Sequence, residues 1–125
     1  MSEKNITLNK SFSFAVRIVN LCRYLNEEHR EYILSKQLLR SGTSIGANIN
    51  EASAAQSKKD FIAKMSIAHK EARETKYWID LLAATGYLNA NEKHIKFLVN
   101  ENIELIRLLS SIVKTSQEAL SSAQK

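Results

Sequence analysis

A chain of 125 residues with 44% hydrophobic residues, no proline and three glycines can bury a core as one domain, and has too few turn formers for a fold of strands and tight turns. Its formal charge of +5 admits nucleic acid or an acidic protein as a partner. One cysteine, Cys22, excludes an intrachain disulfide, no run reaches the roughly 18 apolar residues of a membrane span, and MSEKNITLNK carries no secretory pattern, so a cytoplasmic protein without membrane contact is expected.

The first helix is expected over about residues 11–27, opened by Asn9 or Ser11, either of which can cap it. Phe14, Ile18, Leu21 and Leu25 make its apolar stripe, with Ala15 and Cys22 beside them. There Cys22 reads as a small buried hydrophobe, because a reactive thiol needs a more open and electropositive setting than Arg23 alone supplies. The polar run Asn26-Glu27-Glu28-His29-Arg30 should end this helix.

The second helix, about 31–55, contains QLLRSGTSIGANINEA, which holds two of the glycines. The stretch is no phosphate loop, since Gly42 and Gly46 are not followed by Lys-Ser/Thr, and no G-x-G-x-x-G occurs. Leu34, Leu38, Gly42, Ile45, Ile49 and Ala52 instead fall on one helical face that runs through both glycines without losing phase. Each glycine costs about 1 kcal/mol relative to alanine within a helix. Close approach of a neighbouring helix is the expected compensation.

The third helix, about 58–85, opens at Ser57 with an acid three residues on. Phe61, Met65, Ala68, Ala72, Thr75, Ile79 and Leu82 then alternate in steps of four and three, the cleanest heptad seam in the chain. Gly86 should stop it in a left-handed conformation. The fourth helix, about 91–121, carries Ile95, Leu98, Asn102, Leu105, Leu109, Ile112 and Ser116, with a second row of Val99, Ile106, Val113 and Leu120. Four amphipathic helices with short connections predict an all-α chain forming one domain over residues 1–125, an antiparallel up-down four-helix bundle.

No catalytic or metal constellation accompanies these helices. Di-metal bundles use Glu-x-x-His, but Glu71 and Glu74 have no histidine three residues after them. His29, His69 and His94 fall in separate segments, and Cys22 has no base near it in sequence. The reading is a non-enzyme with no metal and no cofactor.

Two stretches carry a family resemblance. Ser44, Ile45, Asn48, Ile49, Glu51 and Ala52 make S-I-x-x-N-I-x-E-A, and Asp60 to Thr75 make D-F-I-x-K-x-x-I-A-x-K-E-x-x-E-T. From about Ser11 to Leu82 the chain resembles the four-helix-bundle proteins encoded within intervening sequences of bacterial 23S ribosomal RNA genes. The resemblance implies the same fold, and homo-oligomeric rings that are often pentamers. It extends to the accessory protein of diversity-generating retroelements, which binds nucleic acid and a reverse transcriptase. It implies no established activity for most members.

Function must therefore be sought on the surfaces. Gln37, Ser41, Ser44, Asn48 and Glu51 flank the stripe of the second helix, and Lys64, Glu71, Glu74 and Trp78 flank that of the third. An interhelix polar network of Arg40, Ser44, Asn48, Glu51, Glu71 and Glu74 would fix their register. A partner-binding groove and plain solvated faces are the alternatives. Lys58, Lys59, Lys64, Lys70, Arg73 and Lys76 offer phosphate contacts, interleaved with acids, and a solvated face is the bland alternative. No zinc-finger, RRM or KH signature supports base-specific readout. On a helical wheel Phe97 and Leu108 fall away from the inward stripe of the fourth helix and suggest a subunit contact. The expectation is a non-enzymatic bundle that forms a ring-like homo-oligomer and binds structured RNA or other nucleic acid. The alternative is a protein–protein adaptor or scaffold.

Overall fold

A computed structural model of the chain describes residues 3–123. It contains α1 (Glu3–His29), α2 (Leu34–Ala52), α3 (Lys58–Ala84) and α4 (Lys93–Ala123), and no strand among the described residues. Helix α2 packs on α1 and on α3, α3 packs on α4, and α4 returns against α1. Cross-pairs run in opposite directions along neighbouring helices. Arg40 meets Glu71 while Glu51 meets Lys64, and Lys10 meets Glu104 while Arg17 meets Glu101. The result is an up-down four-helix bundle. Among the described residues no helix is long and apolar enough to cross a membrane.

The core follows the stripes that periodicity predicts, but Phe61 and Ser116 are only half-buried and Ile62 and Leu88 are buried outside them. Phe14, Ile18 and Leu25 of α1, Leu38, Ile45 and Ile49 of α2, Met65 and Leu82 of α3 and Leu109 of α4 are wholly buried. At about 25 cal/mol per Å² of apolar surface, such side chains supply most of the drive to fold. Asn102 sits in the same layer, buried, and donates Nδ2 to the carbonyl of Ala72 at 3.1 Å. A single polar group at a seam position fixes register, at some cost in stability.

The two glycines of α2 are explained by α1. A Cβ on Gly42 would stand 2.8 Å from Cγ2 of Ile18, and one on Gly46 would stand 3.1 Å from Oγ of Ser11. The helices touch backbone to side chain there, which offsets the cost of glycine in a helix.

Several boundaries differ from expectation. Helix α1 begins at Glu3, not near residue 11, so Ser11 is no cap. Ser11 lies buried in mid-helix, its Oγ donating to the carbonyl of Leu8 at 2.8 Å, and Thr7 is buried one turn earlier. Both hydroxyl residues extend the buried face, and a stripe search limited to apolar residues stops short of them. Helix α2 begins at Leu34 rather than 31, because Arg30 takes a left-handed φ of 51°. The Glu31 carboxylate then accepts from the amides of Ile33, Leu34 and Ser35 at 3.2, 3.1 and 2.9 Å. An acid at a helix start satisfies free N–H groups and favours the dipole. Helix α2 also ends at Ala52, before the expected 55.

Helix α3 starts as predicted, with the Ser57 Oγ accepting from the Asp60 amide at 3.0 Å. It ends in a Schellman turn: Gly86 has φ 88°, the Gly86 amide donates to Ala83 O, and the Tyr87 amide donates to Leu82 O at 2.9 Å. Cys22 is buried and donates to the carbonyl of Ser35 at 3.3 Å; burial, aided by the Glu31 charge, pushes its thiol up to about 11. It packs as a small hydrophobe.

Candidate nucleic-acid interface

Helix α3 has one buried face against α2 and α4 and one face in water. Lys59, Lys70, Arg73 and Tyr77 are all exposed, and their spacings of eleven, three and four are close to whole turns. They form one line about 27 Å long at 1.5 Å per residue. Ala63 and Ser66 lie on it between the two lysines, with the exposed Ile67 beside them and no acid. Among the described residues, Lys59, Lys70 and Arg73 enter no ion pair.

The other expected cations are placed differently. Lys58 is exposed at the helix start, to one side of the line. Lys64 is half-buried and turned toward α2, where it meets Glu51 at 3.7 Å. Lys76 pairs with Asp80 at 2.8 Å along α3. Half-buried His69 is held below its ordinary pKa by burial and then by Arg73, so it adds no charge near neutral pH. The line therefore draws its charge from three residues of the six.

Behind the line stands the α2–α3 seam. Arg40 spans it, with one guanidinium nitrogen 3.0 Å from the buried Glu71 carboxylate and another on Glu74. Trp78 Nε1 donates to the same Glu74 oxygen at 3.0 Å. That bond, with Arg40, holds the Glu74 carboxyl below its usual range against the opposing effect of burial. Thr75 donates to Ser41 Oγ at 3.0 Å inside the seam. Of the expected network, Arg40, Glu71 and Glu74 come together, and Glu51 joins Lys64 further along. Ser44 and Asn48 are corrected: the first donates to Arg40 O at 2.5 Å and the second to Ser44 O at 2.8 Å. Short polar side chains on a helix readily bond back to their own turn.

Phe97 and Leu108 of α4 do not stand alike. Phe97 is 51% exposed with Arg17 lying 4.8 Å above its ring, whereas Leu108 is half-buried. A broader unpartnered apolar line runs along α1, where Phe12 is 70% exposed and Val16 and Val19 follow at helical spacing. Sequence reasoning missed this line because it sits opposite a stripe that already accounts for the helix.

A second feature escaped the sequence. At the end of the bundle carrying the α1–α2 and α3–α4 connections, an open cleft of about 1010 Å³ lies between α1 and the start of α4. Its lining comes from α1, the α3–α4 connection and the start of α4, residues with no proximity in sequence.

The model of the 23S rRNA-intervening sequence protein family matches residues 3–111. A crystal structure from Bacteroides thetaiotaomicron, a protein of unknown function from the S23 ribosomal protein family, is 50% identical and superposes with a TM-score of 0.85. That similarity covers 90% of this chain and 99% of the other. Among curated proteins none matches.

Proposed function

The chain belongs to the 23S rRNA-intervening sequence protein family, and from that premise we propose that it is a non-enzymatic bundle of the cytoplasm that self-assembles and binds structured RNA through α3. The observation that carries this reading is the line of Lys59, Lys70, Arg73 and Tyr77, whose three cations form no ion pair among the described residues, Lys70 acting on Glu74 only at a longer range. Phosphate contacts of this kind release counterions and confer affinity without reading sequence. Several copies in a ring would repeat the line around a closed surface and raise the field at each one.

Self-assembly is proposed to use the α1 line of Phe12, Val16 and Val19, since a ring needs a head-to-tail contact and these apolar side chains are exposed. Sedimentation measures this: the wild type runs as an oligomer at tens of micromolar, and Phe12→Glu with Val16→Glu gives a smaller, fully helical species. A monomeric wild type contradicts assembly.

A salt titration with ribosomal RNA fragments tests the RNA half. Binding that weakens steeply as salt rises supports it. Absence of binding at low salt leaves the alternative of a protein–protein adaptor, which the exposed α1 line also fits.

A further inference from the structure

The cleft between α1 and α4 combines apolar, aromatic and basic residues. Its floor is apolar, made by Leu21, Leu88, Ile95 and Leu98, all buried. Tyr24, Tyr87 and Phe97 form its walls, and Tyr24 and Phe97 are each about half exposed. His29 braces the first two rings: it meets Tyr24 and Tyr87 edge-on at 5.3 and 5.7 Å, and accepts or donates a hydrogen bond with the Tyr24 hydroxyl at 3.1 Å. The rim carries Lys93 and Arg17, the latter paired with Glu101 and lying over the Phe97 ring, and Glu92 is the single acid among the lining residues. That carboxylate is already engaged by His94 at 3.1 Å. Helix α4 starts at the cleft, so its first free amides add positive potential there.

Flat aromatic walls over an apolar floor, with cations at the mouth, suit a planar ring that carries an anion. A volume of about 1010 Å³ is at the large end of small-ligand sites, and the open side lets a strand enter and leave. We propose that the cleft takes one unstacked nucleotide of a single-stranded RNA segment, its base against Tyr24, Tyr87 and Phe97 and its phosphate toward Lys93 and the start of α4. This rests on the RNA-binding reading and deepens it: α3 holds the backbone of a structured RNA, and the cleft captures a base that its loop or end exposes.

AMP is the probe, titrated to several millimolar while the NMR signals of the full chain are followed. The expected result is movement of the Tyr24, Tyr87 and Phe97 ring signals, weaker movement with adenosine, and none with inorganic phosphate. Tyr24→Ala with Phe97→Ala, at half-exposed positions, should keep the helical spectrum and bind a short single-stranded oligo(A) about 10-fold more weakly, with duplex RNA binding unchanged. Ring signals that ignore AMP, or a double variant that binds oligo(A) like the wild type, overturn the assignment. Phosphate alone reproducing the shifts reduces the cleft to an anion contact and overturns it too. Ring signals that move on dilution of the protein alone mean that a second copy fills the cleft, which equally overturns it. Salt-sensitive binding of duplex RNA beside a silent cleft leaves the α3 reading intact, so the two failures are distinct.

Discussion

The two sides of the bundle are built differently. On one side α2 is wedged between its neighbours, glycine against Ile18 of α1 and an Arg40 clamp against Glu71 and Glu74 of α3. On the other side α1 and α4 are joined by two ion pairs, Lys10 to Glu104 and Arg17 to Glu101 at 3.4 Å, and then open into the cleft. Polar groups on the closed side find partners. On the open side the buried Glu101 Oε1 has the Arg17 ion pair but no hydrogen bond, and burial raises the Glu101 carboxyl above its ordinary value. A seam satisfied within the chain serves as scaffold, and here it backs the α3 line. A seam left partly unsatisfied has surface to offer something else.

The largest break in that contrast should come from Gly42→Leu. Leucine is the better helix former, yet even its first carbon would stand 2.8 Å from Ile18. Overpacking of this kind costs about 3 kcal/mol, at the upper end of its usual range, and thermal melting should show a clear loss. A raised melting temperature would show that α1 yields freely and that the closed side is not tight.

Arg40→Ala comes next. It strands Glu71, which is buried, and removes one partner of Glu74. The expected loss is about 2 kcal/mol in denaturant unfolding, most of it the cost of an unpaired buried carboxylate. Lys10→Ala on the open side removes an exposed pair instead, and should cost less than about 1 kcal/mol. Equal losses at the two positions would erase the distinction between the seams.

The smallest effect is one of pH, and it has opposite signs on the two sides. Glu74 is held below its ordinary 4.5, so its contribution is present above that value and is lost as pH falls through the lower folded value. Glu101 is raised above 4.5, so its charged form is a penalty at neutral pH that is relieved as pH falls through the raised value. Melting curves from neutral pH toward 4.5 should therefore show the wild type gaining on Glu101→Gln. Below 4.5, Glu74→Gln should lose less than the wild type. Parallel curves throughout would mean that neither carboxyl is perturbed.

The closed side was largely legible in the sequence. An unbroken 3.6-residue phase through Gly42 and Gly46 announced a close helix contact, and the heptad seam of α3 named its own core. Arg40, Glu71 and Glu74 could be paired because they flank stripes on consecutive helices. The first turns of α1 were not legible, since the buried face there is made by the hydroxyl residues Thr7 and Ser11, the latter bonding to its own turn, which hydropathy does not register. Glu31 was read as helix when it caps one, because a left-handed Arg30 gives no signal in residue type. The cleft was invisible for a different reason: Arg17, Tyr24, Tyr87 and Phe97 meet only when α1 is brought against the α3–α4 connection and the start of α4.

The unpaired cations of α3, rather than net charge, are proposed to hold RNA. Lys59→Gln, Lys70→Gln and Arg73→Gln made together should be compared with Lys64→Gln and Lys76→Gln, whose wild-type cations pair with Glu51 and Asp80. The measurement is the slope of log affinity against log salt for one ribosomal RNA fragment. The first variant should flatten that slope by about 3, close to one for each phosphate no longer neutralised, while the second stays near the wild type. Slopes that fall in proportion to the charges removed, wherever they lie, would contradict it.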